Sequence, residues 1–307
     1  MKEIIRFQDQ SVHLLTHGAA AVRIAPQAGA RLLDWRVNGR EVIHWPAEAD
    51  WSTPAKIRGG NPILFPFLGR HFVDGAIGRW RDAAGTVRDL PMHGFARDLP
   101  FTVVEESDPD TLRMRLEESE QTRAWYPFAF RFEVAYRLGG TQGDTLEAEF
   151  ATTNTGDQPL PYYAGHHFYF ALDHRDRAHW KLDLPLAQTG TQAPDGSILM
   201  GNPPASAATL DQPELIDRFQ IAPTASRFSL ADQRDGNGPR IEFDLAPRET
   251  VPWYAVTTWT LKPESDFYCV EPWLGLPNAI GHGLGLRWLA PGVTERAVCS
   301  LRYRPGT

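Results

Sequence analysis

"RFEVAYRL", residues 131–138, alternates large apolar side chains (Phe132, Val134, Tyr136 and Leu138) with polar or small ones. A β-strand sends successive side chains to opposite faces of its sheet, so this stretch predicts a strand with one buried face. The same alternation recurs in "TLRMRLEE" (111–118), "TLEAEF" (145–150) and "AVCSLRYR" (297–304). Strands with one apolar face are typical of antiparallel sheets that pack on a core.

Turn-forming residues are spread along the whole chain. Its 307 residues include 26 glycines and 25 prolines, a density that favours short strands joined by turns over long helices. Within "LLDWRVNGREVIHW" (32–45), Asn38-Gly39 predicts a tight hairpin turn, and "RDGNGPRIEFDL" (234–245) holds a second turn.

Helices are predicted at only two places, and both are short: "SEQTRAWYP" (119–127) and "QPELIDRF" (212–219). Residues 194–213 read as a loop inserted within a domain, since no Pro/Ser-rich linker divides the chain. The sequence therefore predicts one domain over residues 1–307, a large antiparallel β-sandwich with few short helices.

Composition narrows the class of protein. The chain is 42% hydrophobic and carries a net charge of −7 with its charges interspersed, so the basic stripe of a nucleic-acid binder is missing. No apolar run approaches the ~18 residues of a membrane span, and residues 1–15 contain acids and amides where a signal peptide has an apolar core. We expect a cytoplasmic protein without nucleic-acid or membrane partners. Cys269 and Cys299 have apolar flanks, which favour buried free thiols over a disulfide.

Three clusters of polar residues stand in aromatic, Gly- and Pro-rich surroundings. They are Arg58, Arg70, His93 and Arg97 in residues 56–70 and 90–98, His166 and His167 in "AGHHFYF" (164–170), and Glu271 in "FYCVEPWLGLPNA" (267–279). Aromatic walls with a few aimed polar groups are typical of small-molecule pockets. Each residue taken alone also fits a structural role, as a core histidine, a solvated strand-end acid or a turn arginine.

Motifs for other chemistries are missing from the sequence. His166 and His167 are adjacent in a strand-like run, so they point apart and cannot both reach one ion without a bulge. The chain also lacks HxH and HExxH spacings, a GxSxG motif, a Walker loop, and a GxGxxG between a strand and a helix. We therefore expect no metal site and no phosphate-binding loop of the Rossmann kind.

Taken together, the clusters resemble the aldose 1-epimerase (galactose mutarotase-like) family over most of the chain. The resemblance is carried by "RGGNPILFPFLGR" (58–70), "LPMHGFARD" (90–98), "YPFAFRFEVAYRL" (126–138), "TNTGDQPLPYYAGHHFYF" (153–170), "FYCVEPWLG" (267–275) and "GLRWLAPG" (285–292). It implies a large β-supersandwich that interconverts the α and β anomers of aldoses without a cofactor. It also implies that a glutamate is the general base and a histidine the general acid.

The family's motifs imply roles for individual residues. Its Gly-x-His-x-Tyr-Phe pattern implies that His167, rather than His166, is the acid, and its Cys-x-Glu-Pro-Trp pattern implies that Glu271 is the base. By the same resemblance His93 and Arg70 contact the sugar. Asp217 is our choice for the family's acidic sugar ligand.

The substrate implied by the resemblance is either a free aldohexose or a hexose 6-phosphate. One branch of the family acts on hexose 6-phosphates, and its RGGIP motif resembles "RGGNP" here, so Arg58 with Arg97 is implied to grip a phosphate. Alternatively, Arg58 is a turn residue and Arg97 pairs with an acid such as Asp98. Asn61 stands where Ile is more typical, and Phe168 stands where the phosphate branch usually has Thr.

Two other functions compete with the epimerase prediction. A sugar-binding or regulatory module could keep the pocket without turnover, although the presence of both His167 and Glu271 favours an enzyme. A lyase or hydrolase is a weaker alternative, since inverting hydrolysis usually needs two acids and one acid stands in a matching motif. The expected partner is a small-molecule aldose or aldose phosphate, and the expected state is a monomer or a homodimer.

Overall fold

The alternating stretches of the sequence form strands. The computed structural model describes residues 1–202, 208–223, 225–248 and 250–306. The first strands in chain order are β1 (Lys2–Phe7), β2 (Gln10–His17), β3 (Ala20–Ala25), β4 (Arg31–Val37), β5 (Arg40–Ile43), β6 (Ile63–Leu64), β7 (Phe72–Val73), β8 (Ala76–Ile77), β9 (Arg79–Arg81), β10 (Val87–Asp89), β11 (Thr102–Val104), β12 (Thr111–Glu117), β13 (Phe130–Gly139) and β14 (Thr145–Asn154). They are followed by β15 (Leu160–Tyr162), β16 (Gly165–His166), β17 (Phe168–Ala171), β18 (Trp180–Asp183), β19 (Leu186–Gln192), β20 (Ile198–Gly201), β21 (Arg218–Pro223), β22 (Arg227–Asp232), β23 (Arg240–Asp244), β24 (Ala255–Trp259), β25 (Phe267–Trp273), β26 (Arg287–Leu289) and β27 (Thr294–Arg304).

Most of these strands belong to two large antiparallel sheets. The first sheet has 13 strands, in the order β1-β2-β3-β4-β5-β17-β25-β24-β21-β19-β20, with β16 pairing with both β25 and β6. The second has 8 strands, in the order β11-β12-β13-β14-β27-β23-β22-β18. Smaller ladders join β7 with β8, β9 with β10, and β15 with β26. The antiparallel pairing predicted from the alternation is confirmed.

An apolar core lies between the two large sheets. Phe170 of β17 meets Phe243 of β23 edge-on at a ring-centroid distance of 5.5 Å. Trp35 of β4 and Tyr136 of β13 belong to the same buried cluster, and neither side chain has measurable exposure. Because one core takes side chains from both sheets, the sheets form the two layers of a sandwich.

Two of the local predictions are confirmed at the level of the backbone. Asn38 and Gly39 have φ of 50° and 77°, the left-handed values of a tight primed turn, and they join β4 to β5. The predicted helix at 119–127 forms as α1 (Glu120–Trp125). Ser119 caps it: its Oγ accepts from the Thr122 N–H at 3.2 Å, and Thr122 Oγ1 accepts from the Ser119 N–H at 2.8 Å.

The helix predicted over 212–219 is wrong. Only Pro213–Leu215 forms a single 3-10 turn, and β21 begins at Arg218. Between them Asp217 has φ of 53°, which an α-helix cannot accommodate. The loop predicted at 194–213 contains β20, and its residues 203–207 lie outside the described residues.

The remaining helical segments are short. They are α2 (Ala279–His282) and the 3-10 turns Pro26–Ala28, Pro54–Lys56, Ala96–Asp98, His174–His179 and Arg234–Gly236. Within the described ranges, no helix combines the length and the apolar character that crossing a bilayer requires.

Strand β25 lies near the middle of the first sheet, between β17 and β24. Tyr268 and Val270 of this strand belong to the main core. Cys269 instead belongs to a separate apolar cluster with Tyr169 and Phe267. Because side chains alternate along a strand, Glu271 shares the face of Cys269, which is the face turned away from the main core.

Candidate active site

The two adjacent histidines lie on opposite faces of the first sheet. The His166 ring packs in the main core against Phe150 and Phe168, at centroid distances of 4.1 Å and 4.8 Å. The His167 ring stacks on Tyr169 in the other cluster, at 4.8 Å with an interplanar angle of 9°. The alternation predicted from the sequence therefore holds, and only His167 faces Glu271.

His167 and Glu271 meet although 104 residues separate them in the chain. His167 Nδ1 lies 3.4 Å from Glu271 Oε1. Their exposed fractions are 7% and 1%. Among the described residues, neither His167 Nδ1 nor Glu271 Oε2 has a hydrogen-bond partner. Buried polar groups without partners are rare, so these two atoms are candidates for contact with a ligand.

The close approach of the two chain segments depends on Gly165. A Cβ atom at this position would lie 2.6 Å from Cδ1 of Trp273. Gly165 and Trp273 are paired in register between β16 and β25. The glycine in "AGHH" thus lets the histidine segment lie against the end of β25, two residues beyond Glu271.

Burial disfavours the charged form of both members of the pair. Burial, reinforced by the charge of Asp217, raises the pKa of Glu271 well above its usual value. Burial, reinforced by the positive charges of Arg97 and Arg31, holds the pKa of His167 well below its usual value. When the pair holds one proton, both shifts therefore favour the neutral arrangement, with the proton on the Glu271 carboxyl and a neutral imidazole beside it, over the carboxylate with an imidazolium.

A cavity of ≈ 290 Å³ opens in front of this pair. It is lined by Arg58, Gly69, Arg70, Met92, His93, His167, Thr191, Gln192, Asp217, Phe219, Thr257, Trp259, Glu271, Trp273 and Pro277. Six of the seven residues expected from the sequence are thus brought to one cavity, and the seventh, Arg97, is not among its lining residues. Its mixture of indole rings and polar groups is suited to a small polar molecule.

The backbone of Gly69 fixes the tautomer of His93. The Gly69 N–H donates to His93 Nδ1 at 3.1 Å, while the His93 N–H donates to the Gly69 carbonyl at 2.9 Å. Burial and the charge of Arg97 lower the pKa of His93 well below its usual value, so the ring is neutral. A neutral ring that accepts at Nδ1 carries its proton on Nε2, where it can donate to a ligand hydroxyl.

Arg70 and Asp217 reach the cavity from exposed positions. Arg70 Nε donates to Gln192 Oε1 at 3.3 Å, and Gln192 Nε2 donates to the Arg70 carbonyl at 3.1 Å. Asp217 has a left-handed backbone conformation and immediately precedes β21. Both side chains offer charged groups to the mouth of the cavity.

The two arginines implied for phosphate binding differ in their surroundings. The Arg58 guanidinium lines the cavity, 5.5 Å from the ring centroid of Trp259. Arg97 is only 8% exposed, its Nη2 donates to the Met92 carbonyl at 2.7 Å, and its Nε lies 4.0 Å from Asp98 Oδ2. The geometry thus favours, for Arg97, the alternative in which it pairs with Asp98.

Arg31 is a functional candidate that sequence reasoning missed. It is 1% exposed, and its guanidinium donates to the carbonyls of Pro54, Ile57 and Gly59 at 2.6, 2.8 and 3.2 Å. These three bonds hold the loop that carries Arg58. A single arginine in a strand gives no signal for such a role, because strand arginines are mostly exposed.

Three other residues that line the cavity were also missed. Thr257 and Trp259 share a face of β24, and Thr257 is paired with Glu271 in the ladder. Gln192 ends β19. The i, i+2 spacing of Thr257 and Trp259 is the signal that could have found them once β24 was placed beside β25.

Within the part of the chain that the structure describes, two groups of side chains have the composition of a metal site. His167, Cys269 and Glu271 place one ligand atom each within 4.8 Å of one another, and Asp173, His174 and Asp266 do the same. Nitrogen, sulfur and carboxylate oxygen are ligands that zinc accepts. Two members of the first group form the candidate proton-transfer pair, and the expectation of a metal-free site stays a prediction.

Comparisons with known proteins show what this chain is similar to. The sequence model described as aldose 1-epimerase matches residues 11–199. A protein of Salmonella typhimurium strain LT2 named "Putative glucose-6-phosphate 1-epimerase" is 32% identical over 155 residues, which is 48% of either chain. An Escherichia coli K12 protein of the same name is 35% identical over 135 residues, 41% of this chain and 40% of that protein. The chain thus spans about half the length, or less, of these curated relatives.

Solved structures match over nearly the full length. A protein from Synechocystis sp. PCC 6803 superposes with a TM-score of 0.78 and 25% identity, covering 99% of this chain and 95% of that one. A galactose mutarotase related enzyme from Lactobacillus acidophilus superposes with a TM-score of 0.79 and 23% identity, covering 96% and 98%. The predicted galactose mutarotase-like β-supersandwich is confirmed.

Proposed function

Because this chain belongs to the aldose 1-epimerase family, we propose that it interconverts the α and β anomers of an aldohexose or a hexose 6-phosphate. The observation that carries the proposal is the contact of His167 Nδ1 with Glu271 Oε1, 3.4 Å apart at the wall of a polar cavity. Anomer exchange needs one group that removes a proton and another that supplies one. A facing acid and base, shielded from bulk water, are suited to that task.

The reaction moves two protons in opposite directions. Glu271 removes the proton from the anomeric hydroxyl while His167 protonates the ring oxygen, so the C1–O5 bond breaks and the open-chain aldehyde forms. Rotation about C1–C2 exposes the other face of the carbonyl. Closure by the reverse transfers then gives either anomer, and the enzyme returns to its starting state without net loss or gain of protons.

The proton count of the resting pair fits this cycle. Ring opening begins with an ionised Glu271 and a protonated His167, and it ends with a protonated Glu271 and a neutral His167. Both states hold one proton, and the second is the state that burial favours in the free site. Ring closure therefore starts from the protonation state in which the free pair rests.

Other residues of the cavity supply binding. His93 Nε2–H can donate to a sugar hydroxyl, Asp217 can accept from one, and the Arg70 guanidinium can donate to oxygens at the mouth. The indole of Trp259, whose edge-to-face contact with His167 has a centroid distance of 5.7 Å, offers an apolar wall next to the acid. These contacts would orient the anomeric carbon toward the His167–Glu271 pair.

A phosphorylated sugar is supported by charge at one side of the cavity. Arg58 is half-buried there, and planar guanidinium groups match phosphate oxygens well. The curated relatives carry names that refer to glucose 6-phosphate. Arg97 has a buried guanidinium with its own carbonyl and carboxylate neighbours, so we assign the direct phosphate contact to Arg58 and not to Arg97.

Arg58→Ala separates the two substrates. We expect it to raise KM for glucose 6-phosphate about 10-fold or more, the scale of one charge-assisted contact, with little effect on KM for glucose. Arg70→Ala is the matched control, because this arginine lines the same cavity and is expected to affect both sugars alike. Equal changes of KM for both sugars with Arg58→Ala would contradict the phosphate contact.

The proposed function is tested by dissolving pure α-D-glucose, and separately α-D-glucose 6-phosphate, and following anomer exchange by NMR with and without the protein. Acceleration of either reaction supports the proposal. Binding of a sugar without acceleration would instead identify a sugar-binding module on the same fold. Failure to accelerate these or any other aldose would overturn the proposal.

A further inference from the structure

The side chain of Asn61 makes three hydrogen bonds, two of them to the adjacent histidines His166 and His167. Its Oδ1 accepts from the backbone N–H of His167 at 2.8 Å. Its Nδ2 lies 3.0 Å from Tyr136 Oη and 2.9 Å from His166 Nδ1, and it donates one hydrogen to each. Asn61 has no measurable exposure, so its amide is fully committed to these partners.

The neighbours of Asn61 fix which groups donate. Burial lowers the pKa of His166 to about 3, so its ring stays neutral and Nδ1 can accept. The second hydrogen of Nδ2 goes to Tyr136 Oη, which leaves Oδ1 free to accept from His167. The flip state of the Asn61 amide is therefore set, because the exchanged orientation would aim its NH₂ group at the His167 N–H.

The side chain of Asn61 supplies the hydrogen-bond acceptor that a neighbouring strand would otherwise provide to His167. The ladder breaks at His167, since β16 ends at His166 and β17 begins at Phe168. Residues 60–61 lie beside this break. The Gly60 carbonyl accepts from the Tyr169 N–H at 3.0 Å, and Asn61 Oδ1 accepts from the N–H of His167, two residues earlier in the chain. Gly60 can lie this close to β4 because it lacks a Cβ, which would stand 2.1 Å from the Leu32 carbonyl oxygen.

An apolar residue at position 61 could not make these bonds. The more typical isoleucine of the family would leave the His167 N–H without its acceptor, in a buried place where an unpaired amide is costly. The position of this backbone determines where the His167 ring lies relative to Glu271. Asn61 thus connects two side chains in the core, His166 and Tyr136, to the backbone of His167, whose ring lies on the cavity side of the sheet.

We infer that Asn61 is a positioning residue, which holds the backbone of His167 so that its ring lies beside Glu271 at the wall of the cavity that takes the sugar. The inference rests on the proposed function, since it assigns Asn61 a role in that reaction. Reacting groups displaced by about 1 Å can lose on the order of 10²-fold in rate. A side chain that fixes the acid without touching the sugar should therefore act on kcat and leave KM nearly unchanged.

The test compares Asn61→Leu, Asn61→Asp and Asn154→Leu in the full chain. Asn154 is the matched control: it is 1% exposed and makes three comparable bonds, to Gln158, Leu289 and Gly156 at 2.7, 2.7 and 2.9 Å, but it does not line the cavity. Each variant is measured for kcat and KM by NMR anomer exchange well below its unfolding temperature. Amide hydrogen exchange of the peptide containing His167 reports on the backbone directly.

Asn61→Leu is expected to lower kcat about 10- to 100-fold with KM nearly unchanged, and to speed exchange of the His167 amide. Asn61→Asp keeps an acceptor oxygen, so it should recover most of kcat. Asn154→Leu should lower the unfolding temperature and leave kcat as in wild type. If the leucine variant does not fold, Asn61→Ala, which also lacks the acceptor, carries the same prediction.

The outcomes separate this inference from the proposed function. Wild-type protein that accelerates no aldose would overturn the function, and the role of Asn61 with it. Active wild type with an Asn61→Leu variant of normal kcat would overturn the inference alone. Unchanged protection of the His167 amide in that variant would do the same.

Discussion

Glu271→Gln is expected to lower kcat for anomer exchange by about 10²–10⁴-fold, the usual contribution of one acid–base group, and to raise the unfolding temperature at the same time. The amide has the shape of the carboxyl but can neither take up nor release the proton. It also removes an ionisable group from a site where burial and the charge of Asp217 oppose ionisation. One substitution should therefore move activity and stability in opposite directions.

The gain in stability should grow with pH. Below the ordinary glutamate pKa of 4.5, Glu271 is protonated in the folded and the unfolded chain alike. Above it, the unfolded chain releases a proton that the folded chain retains, so wild type loses stability as the pH rises toward the raised pKa. Glutamine does not titrate. Calorimetry of both proteins from pH 4.5 upward should show unfolding temperatures that diverge.

Glu149 offers a control of opposite sign. It is 7% exposed and accepts from Arg296, Arg113 and Arg248 at 2.6, 3.0 and 3.0 Å. Glu149→Gln should lower the unfolding temperature, because three guanidinium groups lose their carboxylate, and should leave kcat unchanged. A Glu271→Gln protein that is as active as wild type would refute the assignment of the base. A gap in unfolding temperature that does not widen with pH would refute the description of its surroundings.

Local periodicity was sufficient to predict the sheets. The alternation in 131–138 has a period of two, which no helix can share, and it reappears in the burial of β13, where only the small residue Ala135 departs from it. The prediction that His166 and His167 point apart used the same rule and needed no knowledge of strand order. Alternation does not predict which strands are neighbours. It is a local pattern, whereas the pairing of β17 with β25 joins residues about a hundred positions apart.

Residues whose roles depend on that strand order were missed or misjudged. The sequence marks Asn61 only as a departure from a typical isoleucine, because its hydrogen-bond partners Tyr136, His166 and His167 are distant in the chain. Arg97 follows His93 closely in sequence, yet its guanidinium turns to the Met92 carbonyl. The helix predicted over 212–219 failed because the left-handed backbone of Asp217 redirects the chain into β21. The limits of one domain at 1–307 stay a prediction.

His167→Gln is expected to lower kcat by a similar factor of about 10²–10⁴, and its decisive signature is the pH profile. Wild-type kcat/KM should stay level through neutral pH, where the pair holds one proton. At low pH, kcat/KM should fall only when the pair takes up a second proton, on the His167 imidazole, because no base then remains. Burial and the charges of Arg97 and Arg31 lower that pKa, so the fall should come well below pH 6.5.

Removal of the imidazole should replace this acid limb by one that reports protonation of Glu271 alone, whose pKa burial raises, so the limb should move in whatever activity His167→Gln retains. His166→Gln is the control: it removes a neighbouring histidine whose pKa burial also lowers, but from the core face, so its profile should keep the wild-type acid limb. An acid limb centred at or above pH 6.5 in wild type would mean that the acid is not this buried ring. The same limb surviving in His167→Gln would assign it to another group, and His93, which lines the same cavity, would be the first to test.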